Sequence, residues 1–154
     1  MATYFFDSSG LVKSYVAETG SSWVRSITNP SAANDVYVVR MTEVEITSAI
    51  VRRRRSGTLT TAEADAALIK FRQDLRQQFQ VIEIDAPLLV AAVRAVEVHG
   101  LRAYDAVQLA GAMALTTIQL ASTNPPITVA SADLELNAAA RSEGILVEDP
   151  NNYP

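Results

Sequence analysis

The chain has 154 residues, 49% of them apolar and 19% charged, which fits one domain with a real core. It holds no cysteine, so disulfides, thiolate nucleophiles and Cys-ligated zinc are excluded, and a reducing, cytoplasmic setting is expected. A net charge of −4 excludes a general polyanion binder held by a basic surface, while leaving a local basic patch open. The segment Met1–Asp7 lacks a basic n-region and a long apolar run, so no signal peptide is expected. The most apolar long stretch, Ala106 to Ala121, is interrupted by Gln108, Thr116, Thr117 and Gln119 and reads as a buried helix, not a membrane span.

Tyr4-Phe5-Phe6 is a short aromatic strand. Ser8 or Ser9 then caps a helix with Leu11, Val12, Tyr15 and Val16 on one face, which Gly20 breaks. Ser21 starts a second short helix carrying Trp23, Val24 and Ile27, and Asn29-Pro30-Ser31 ends it. Val36 to Val39 runs apolar without alternation, as a strand buried on both faces does. A helix follows from about Thr42 to Arg55. Thr60-Thr61-Ala62-Glu63 is a capping box opening an amphipathic helix with Leu68, Phe71, Leu75 and Phe79, a stripe read as core or dimer interface. Val81 to Ile84 is the third strand. Pro87 suits the first turn of the next helix, which stops near His99-Gly100. An Ala- and Leu-rich helix from about Ala103 to Gln119 is nearly apolar on most sides and should be central. Asn124-Pro125-Pro126 is a loop, Ile127 to Ala130 a strand, Leu134 to Ala140 a helix closed near Gly144, and Ile145 to Val147 a last short strand.

This alternation predicts an α/β protein, a three-layer α/β/α sandwich around a parallel sheet. The helical pair within Thr42–Gln78 interrupts the alternation and is expected to project as a hairpin. One domain covers residues 1–150, and 151–154 form a short polar tail. No repeat, linker or low-complexity segment is present.

Four acids stand where this chain turns: Asp7, Glu45, Asp105 and Asp133. Each has an ordinary use. Asp7 caps a helix, Glu45 closes a capping box with Thr42, and Asp105 and Asp133 sit in first turns that favour negative charge by ~0.3–1 kcal/mol. Helices that follow parallel strands nevertheless open onto one edge of the sheet, where ligands bind. Carboxylates gathered there repel one another unless a cation intervenes, and Ser or Thr caps would carry no such cost. Hard oxygen donors of this kind suit Mg2+ or Mn2+. The run Arg52-Arg53-Arg54-Arg55 reads as a solvated helix end that complements the macrodipole, or as a contact for a phosphate backbone, and the two are compatible.

Phe6-Asp7-Ser8-Ser9-Gly10-Leu11-Val12-Lys13, Glu45-Ile46-Thr47-Ser48-Ala49-Ile50, Ala103 to Ala110 and Val129-Ala130-Ser131-Ala132-Asp133 resemble the motif blocks of the PIN-domain family. They are most similar to those of VapC-type toxin ribonucleases. Order and spacing agree from about Thr3 to Pro150. The resemblance implies an RNase H-like PIN fold and an Mg2+- or Mn2+-dependent endoribonuclease, whose acidic quartet matches Asp7, Glu45, Asp105 and Asp133. It places Ser8 and Ser131 in secondary roles near the site and Glu43 on the surface. It also implies an RNA substrate, a cognate antitoxin that holds the toxin inactive, and a homodimer. Gln108 stands where relatives commonly carry His, a difference expected to matter little outside the metal shell.

The chemistry so implied is in-line attack of a metal-activated water on a phosphodiester. Asp7 and Asp105 are the expected direct ligands, with Glu45 ligating or orienting water and Asp133 serving a second ion or acting through water. His99 is the single histidine and reads as a helix C-terminal residue, so no triad or His-rich zinc site is available. Trp23 and the tyrosines read as packing residues. The competing reading is a non-catalytic PIN-fold module that binds RNA or protein. A phosphoryl-accepting aspartate domain fails, since Asp7 is followed by Ser8 and Ser9 with no second Asp.

Overall fold

The apolar strands fold as a five-stranded parallel sheet in the order β3-β2-β1-β4-β5. The strands are β1 (Thr3–Phe6), β2 (Asp35–Val39), β3 (Gln80–Ile82), β4 (Thr128–Ala130) and β5 (Leu146–Glu148) in this computed structural model, which describes residues 1–122 and 124–154. Successive side chains alternate between faces: Phe5, Val39 and Val129 enter one core, and Phe6, Val36, Val38 and Ala130 the other. Both faces are covered, which is why β2 reads apolar without alternation.

One face is covered by α5 (Ala86–His99), α6 (Ala103–Ala121) and α7 (Leu134–Ser142), through residues such as Leu88, Leu109, Leu115 and Leu136. The other is covered by α1 (Ser8–Leu11), α2 (Ser21–Thr28), α3 (Met41–Arg55) and α4 (Thr61–Gln77). This is the expected three-layer sandwich. α3 and α4 pack chiefly on each other, as a helical hairpin. Ile46 and Ile50 of α3 and Phe71 of α4 are fully buried in the core cluster that also holds Phe6, Val36 and Val38, with Leu68 and Leu75 beside them, so the stripe on α4 is core.

The capping box Thr60–Glu63 opens α4 as read, with Thr60 Oγ1 accepting the Glu63 N–H at 3.2 Å. The basic run at the end of α3 divides: Arg53 pairs with Glu18 and Arg54 with Asp65, while Arg52 and Arg55 stay exposed. The polar tail is folded back. Tyr153 stacks flat on Trp23 with ring centroids 4.6 Å apart, and Asn151 Oδ1 accepts from buried Lys13 Nζ at 3.0 Å. Gly20 permits this closure: its φ is +86°, and a Cβ there would meet Pro150 O at 2.2 Å. Among the described residues, no helix is long and apolar enough to cross a membrane.

Strand order reverses at β1, whose neighbours are β2 on one side and β4 on the other. The carboxyl ends of β1 and β4 therefore bound the crevice that such a sheet offers a ligand.

Candidate active site

Asp7 is the first residue beyond β1 and caps α1, its Oδ1 accepting from the Gly10 N–H at 2.9 Å. It is 3% exposed. The Ser9 hydroxyl donates to both carboxylate oxygens, at 2.9 and 2.8 Å. Burial pushes the Asp7 pKa up to about 7; the Gly10 and Ser9 hydrogen bonds oppose the rise, and the charge of Glu45 adds to it.

Ser9 also joins the two strand ends. Its oxygen accepts from the Ala132 N–H at 2.9 Å and lies 3.4 Å from Ser131 Oγ. A hydroxyl has one proton, and that of Ser9 is committed to Asp7, so Ser131 is the donor in this contact. Ser131 Oγ accepts in turn from the Asp133 N–H at 3.1 Å. Phe6 and Ala130 are register partners, so Asp7 and Ser131 leave the sheet side by side. Gly10 lies against the end of β4, where a Cβ would be 2.4 Å from Ala130 O. Glycine, the third residue of α1, lets the helix pass this close to the backbone of β4.

Asp133 caps α7, accepting from the Leu136 N–H at 2.8 Å. Asp105 is half-buried in the first turn of α6, which enters from a helix–helix turn after α5 and not from a strand. Burial raises its pKa most; the charges of Asp133, Glu45 and Glu135 add to the rise, and Arg102 opposes it.

Glu45 does not close a capping box. α3 begins at Met41 with Arg40 as its uncapped N-terminal neighbour, so Thr42 is already inside the helix. Thr42 is instead fully buried, and its Oγ1 accepts from Gln108 Nε2 at 3.0 Å. The same Nε2 donates to Glu45 Oε2 at 2.7 Å. Gln108 is therefore tied directly to an acid of the quartet. Its Oε1 is buried without a partner, so the amide is held by its donor side alone. Glu43 turns away and pairs with Arg40 at 3.3 Å.

The four acids form a series coupled through charge, Asp7 to Glu45, Glu45 to Asp105 and Asp105 to Asp133. Ser8, Ser9, Glu45, Tyr104 and Ala132 line a cleft of about 670 Å3 over this edge. The donor set is carboxylate throughout, which fits a hard divalent cation. As the side chains stand, no three His, Asp or Glu among the described residues are grouped closely enough to hold an ion. Mg2+ usually takes one or two protein carboxylates and keeps several waters, so the arrangement fits an ion completed by water and substrate better than an all-protein cage.

Sequence position does not single out Ser9 or Gln108 as partners of the acids, and it pairs Thr42 with Glu45 through a capping box where the link instead runs through Gln108. Ser9 had a signal, since two serines follow Asp7, and only the turn of α1 selects the second. Gln108 had one too, three residues after Asp105 within an apolar helix.

No protein-family model matches the chain. Ribonuclease VapC45 of Mycobacterium tuberculosis (strain CDC 1551 / Oshkosh) is 30% identical over 148 residues, 96% of this chain and 95% of that protein. Ribonuclease VapC49 of Mycobacterium tuberculosis (strain ATCC 25618 / H37Rv) matches to the same extent. Among solved structures, PAE2754 from Pyrobaculum aerophilum superposes with a TM-score of 0.64 at 20% identity, covering 98% of this chain and 85% of that one. FitAcB from Neisseria gonorrhoeae gives 0.57 at 19%, covering 96% and 97%. VapBC2 from Rickettsia felis, solved with a DNA fragment from its promoter, gives 0.57 at 10%, covering 96% and 98%. These structures share the PIN fold seen here. With the curated relatives matching nearly end to end, the chain belongs to the VapC ribonuclease family.

Proposed function

We propose that the chain is an Mg2+- or Mn2+-dependent endoribonuclease that hydrolyses phosphodiester bonds in RNA, and that it is the toxin of a cytoplasmic toxin–antitoxin pair. The observation that carries this reading is the placement of the acids about the switch point of the sheet, with Asp7 directly after β1, Asp133 at the start of α7 after β4, Glu45 on α3 and Asp105 in the first turn of α6. Asp7, Glu45 and Asp105 would hold the cation, with Asp133 completing the set directly or through water. When bound, such an ion supplies a water of lowered pKa and stabilises charge on the phosphate oxygens. The chain's own residues do the positioning. Ser9 directs both oxygens of Asp7, Gln108 directs Glu45, and Ser131 ties the β4 end to the β1 end.

Incubation with total RNA, with and without Mn2+, tests the reading. Cleavage that appears only with the cation, and maps to discrete ends, is expected. A second reading, a non-catalytic PIN module, draws on the absence of three grouped ligands among the described residues. Absence of Mn2+ binding at millimolar metal with RNA present, by calorimetry, would favour it.

The partners in this reading are an inhibitory antitoxin and a second copy of the chain. The homodimer is supported by an apolar face on α5, where Leu89, Val90, Val93 and Val98 are 48%, 71%, 59% and 62% exposed. Arg94 and Glu97 border that shallow groove, a pairing that an antiparallel copy of α5 would satisfy reciprocally. Val93→Glu should convert the dimer to a monomer in sedimentation experiments, with the melting temperature of the monomer unit little changed.

A further inference from the structure

The cleft beside the acids carries groups that the hydrolysis itself does not use. Tyr104, next to Asp105 in the first turn of α6, is 60% exposed and lines the cleft. Arg102, two residues earlier, lines it from the same side, and Arg52 lines it from α3. Arg52 follows Glu45 by seven residues, two turns along one helix face, so it stands ~10 Å from that acid along the axis. Two other cations of the cleft are spent internally. Lys13 donates to Thr19 O, Asn151 and Glu18, and Arg53 pairs with Glu18. Arg52 and Arg102 make no ion pair among the described residues.

A polyanion approaching four carboxylates is repelled, and a single cation at the centre does not offset that along the flanking phosphates. Guanidinium groups lining the same cleft do, and Arg52 and Arg102 are such groups. An exposed aromatic ring in the same lining, that of Tyr104, adds what single-stranded nucleic acid seeks, since any base stacks on such a face without regard to sequence. A duplex would offer no free base face to Tyr104.

We infer that Arg52, Tyr104 and Arg102 form a track for single-stranded RNA, in which Tyr104 stacks a base beside the scissile phosphate and the two arginines hold phosphates on either side of it. This deepens the ribonuclease reading and rests on it for the identity of the strand. It gives Tyr104 a role as a stacking platform, where sequence alone assigned the tyrosines to packing.

The test is the Kd of the full chain for a fluorescein-labelled octaribonucleotide of mixed sequence. Anisotropy is read with Ca2+ in place of Mn2+ across a salt series, with strand integrity checked on a gel. Arg52→Gln and Arg102→Gln should each flatten the slope of log K against log salt by about 0.7. Tyr104→Ala should weaken binding about tenfold or more at unchanged slope, and Tyr104→Phe should restore it. Arg55→Gln removes an equal charge from the same run outside the cleft and is the control. Wild-type Kd and slope in the three cleft variants would overturn the track, as would equal flattening by Arg55→Gln. A chain that cleaves RNA with Mn2+ yet shows none of these effects keeps the nuclease and loses the track. A chain that shows them without cleaving keeps the track and loses the nuclease. Failure to bind RNA at all overturns both.

Discussion

Asp7→Asn should abolish RNA cleavage, by about 10²-fold or more, while making the metal-free protein more stable at pH 8 than the parent. Both effects follow from one fact. The Asp7 carboxyl is buried, and its pKa in the fold is about 7 against an ordinary 3.8. Between those values the folded chain holds a proton that the unfolded chain has released. The stabilising contribution is therefore fully present below pH ~4 and is lost as pH rises through about 7. The gap corresponds to a few kcal/mol at most. Asn keeps an oxygen for the Gly10 N–H and the Ser9 hydroxyl, so the cap survives, but no charge is buried above neutrality. Thermal melts of both proteins from pH 4 to pH 8 in chelator read this directly. A parent whose stability does not fall over that range, or a variant that falls with it, would remove the buried charge from the account. Adding Mn2+ at pH 8 should raise the parent's melting temperature and leave the variant's unchanged.

Gln108→Leu should fold with stability within ~1–2 kcal/mol of the parent and yet lose about 10–100-fold in cleavage. The stability estimate rests on a balance. The change removes a buried carbonyl that has no partner, and it costs Thr42 and Glu45 one donor. The activity estimate rests on the size of effect seen when a residue that orients a metal ligand is removed. Because Gln108 acts through Glu45, the loss should appear with a weakened apparent affinity for Mn2+ and little change in RNA affinity. Gln108→His should retain activity within several-fold, since an imidazole N–H can serve the same acceptor. Equal cleavage by the Leu variant would show that Glu45 needs no support from α6.

Periodicity and punctuation made most of the architecture legible. The unalternating Val36–Val39 run, the Thr60–Glu63 box, Pro87 at a helix start and the apolar stretch after Ala103 each carry their physics locally, and each appears as read. The Asp7 cap was legible for the same reason, since capping is a bond between near neighbours, although α1 starts at Ser8 and takes no cap from Ser8 or Ser9; Asp133, read as a first-turn acid, is itself the cap of α7. The capping-box reading of Thr42 and Glu45 fails because Thr-x-x-Glu is ambiguous when the N-cap can lie two residues earlier, at Arg40. Where β2 ends and α3 begins is decided by packing, which draws Thr42 inside to meet Gln108.

Periodicity by itself determined an α/β layer structure and marked acids where the chain turns, because those depend on residue type and local period; the resemblance of the motif blocks joined the four acids into one site of hard oxygen donors. The tertiary structure alone decided how the acids couple, since charge coupling depends on distance across 126 positions of chain between Asp7 and Asp133. It alone brought Ser9 to Ser131, laid α4 into the core, and set Tyr104 exposed beside Arg102. Hydrogen bonds and burial join residues remote in sequence, and no local pattern encodes which of them meet.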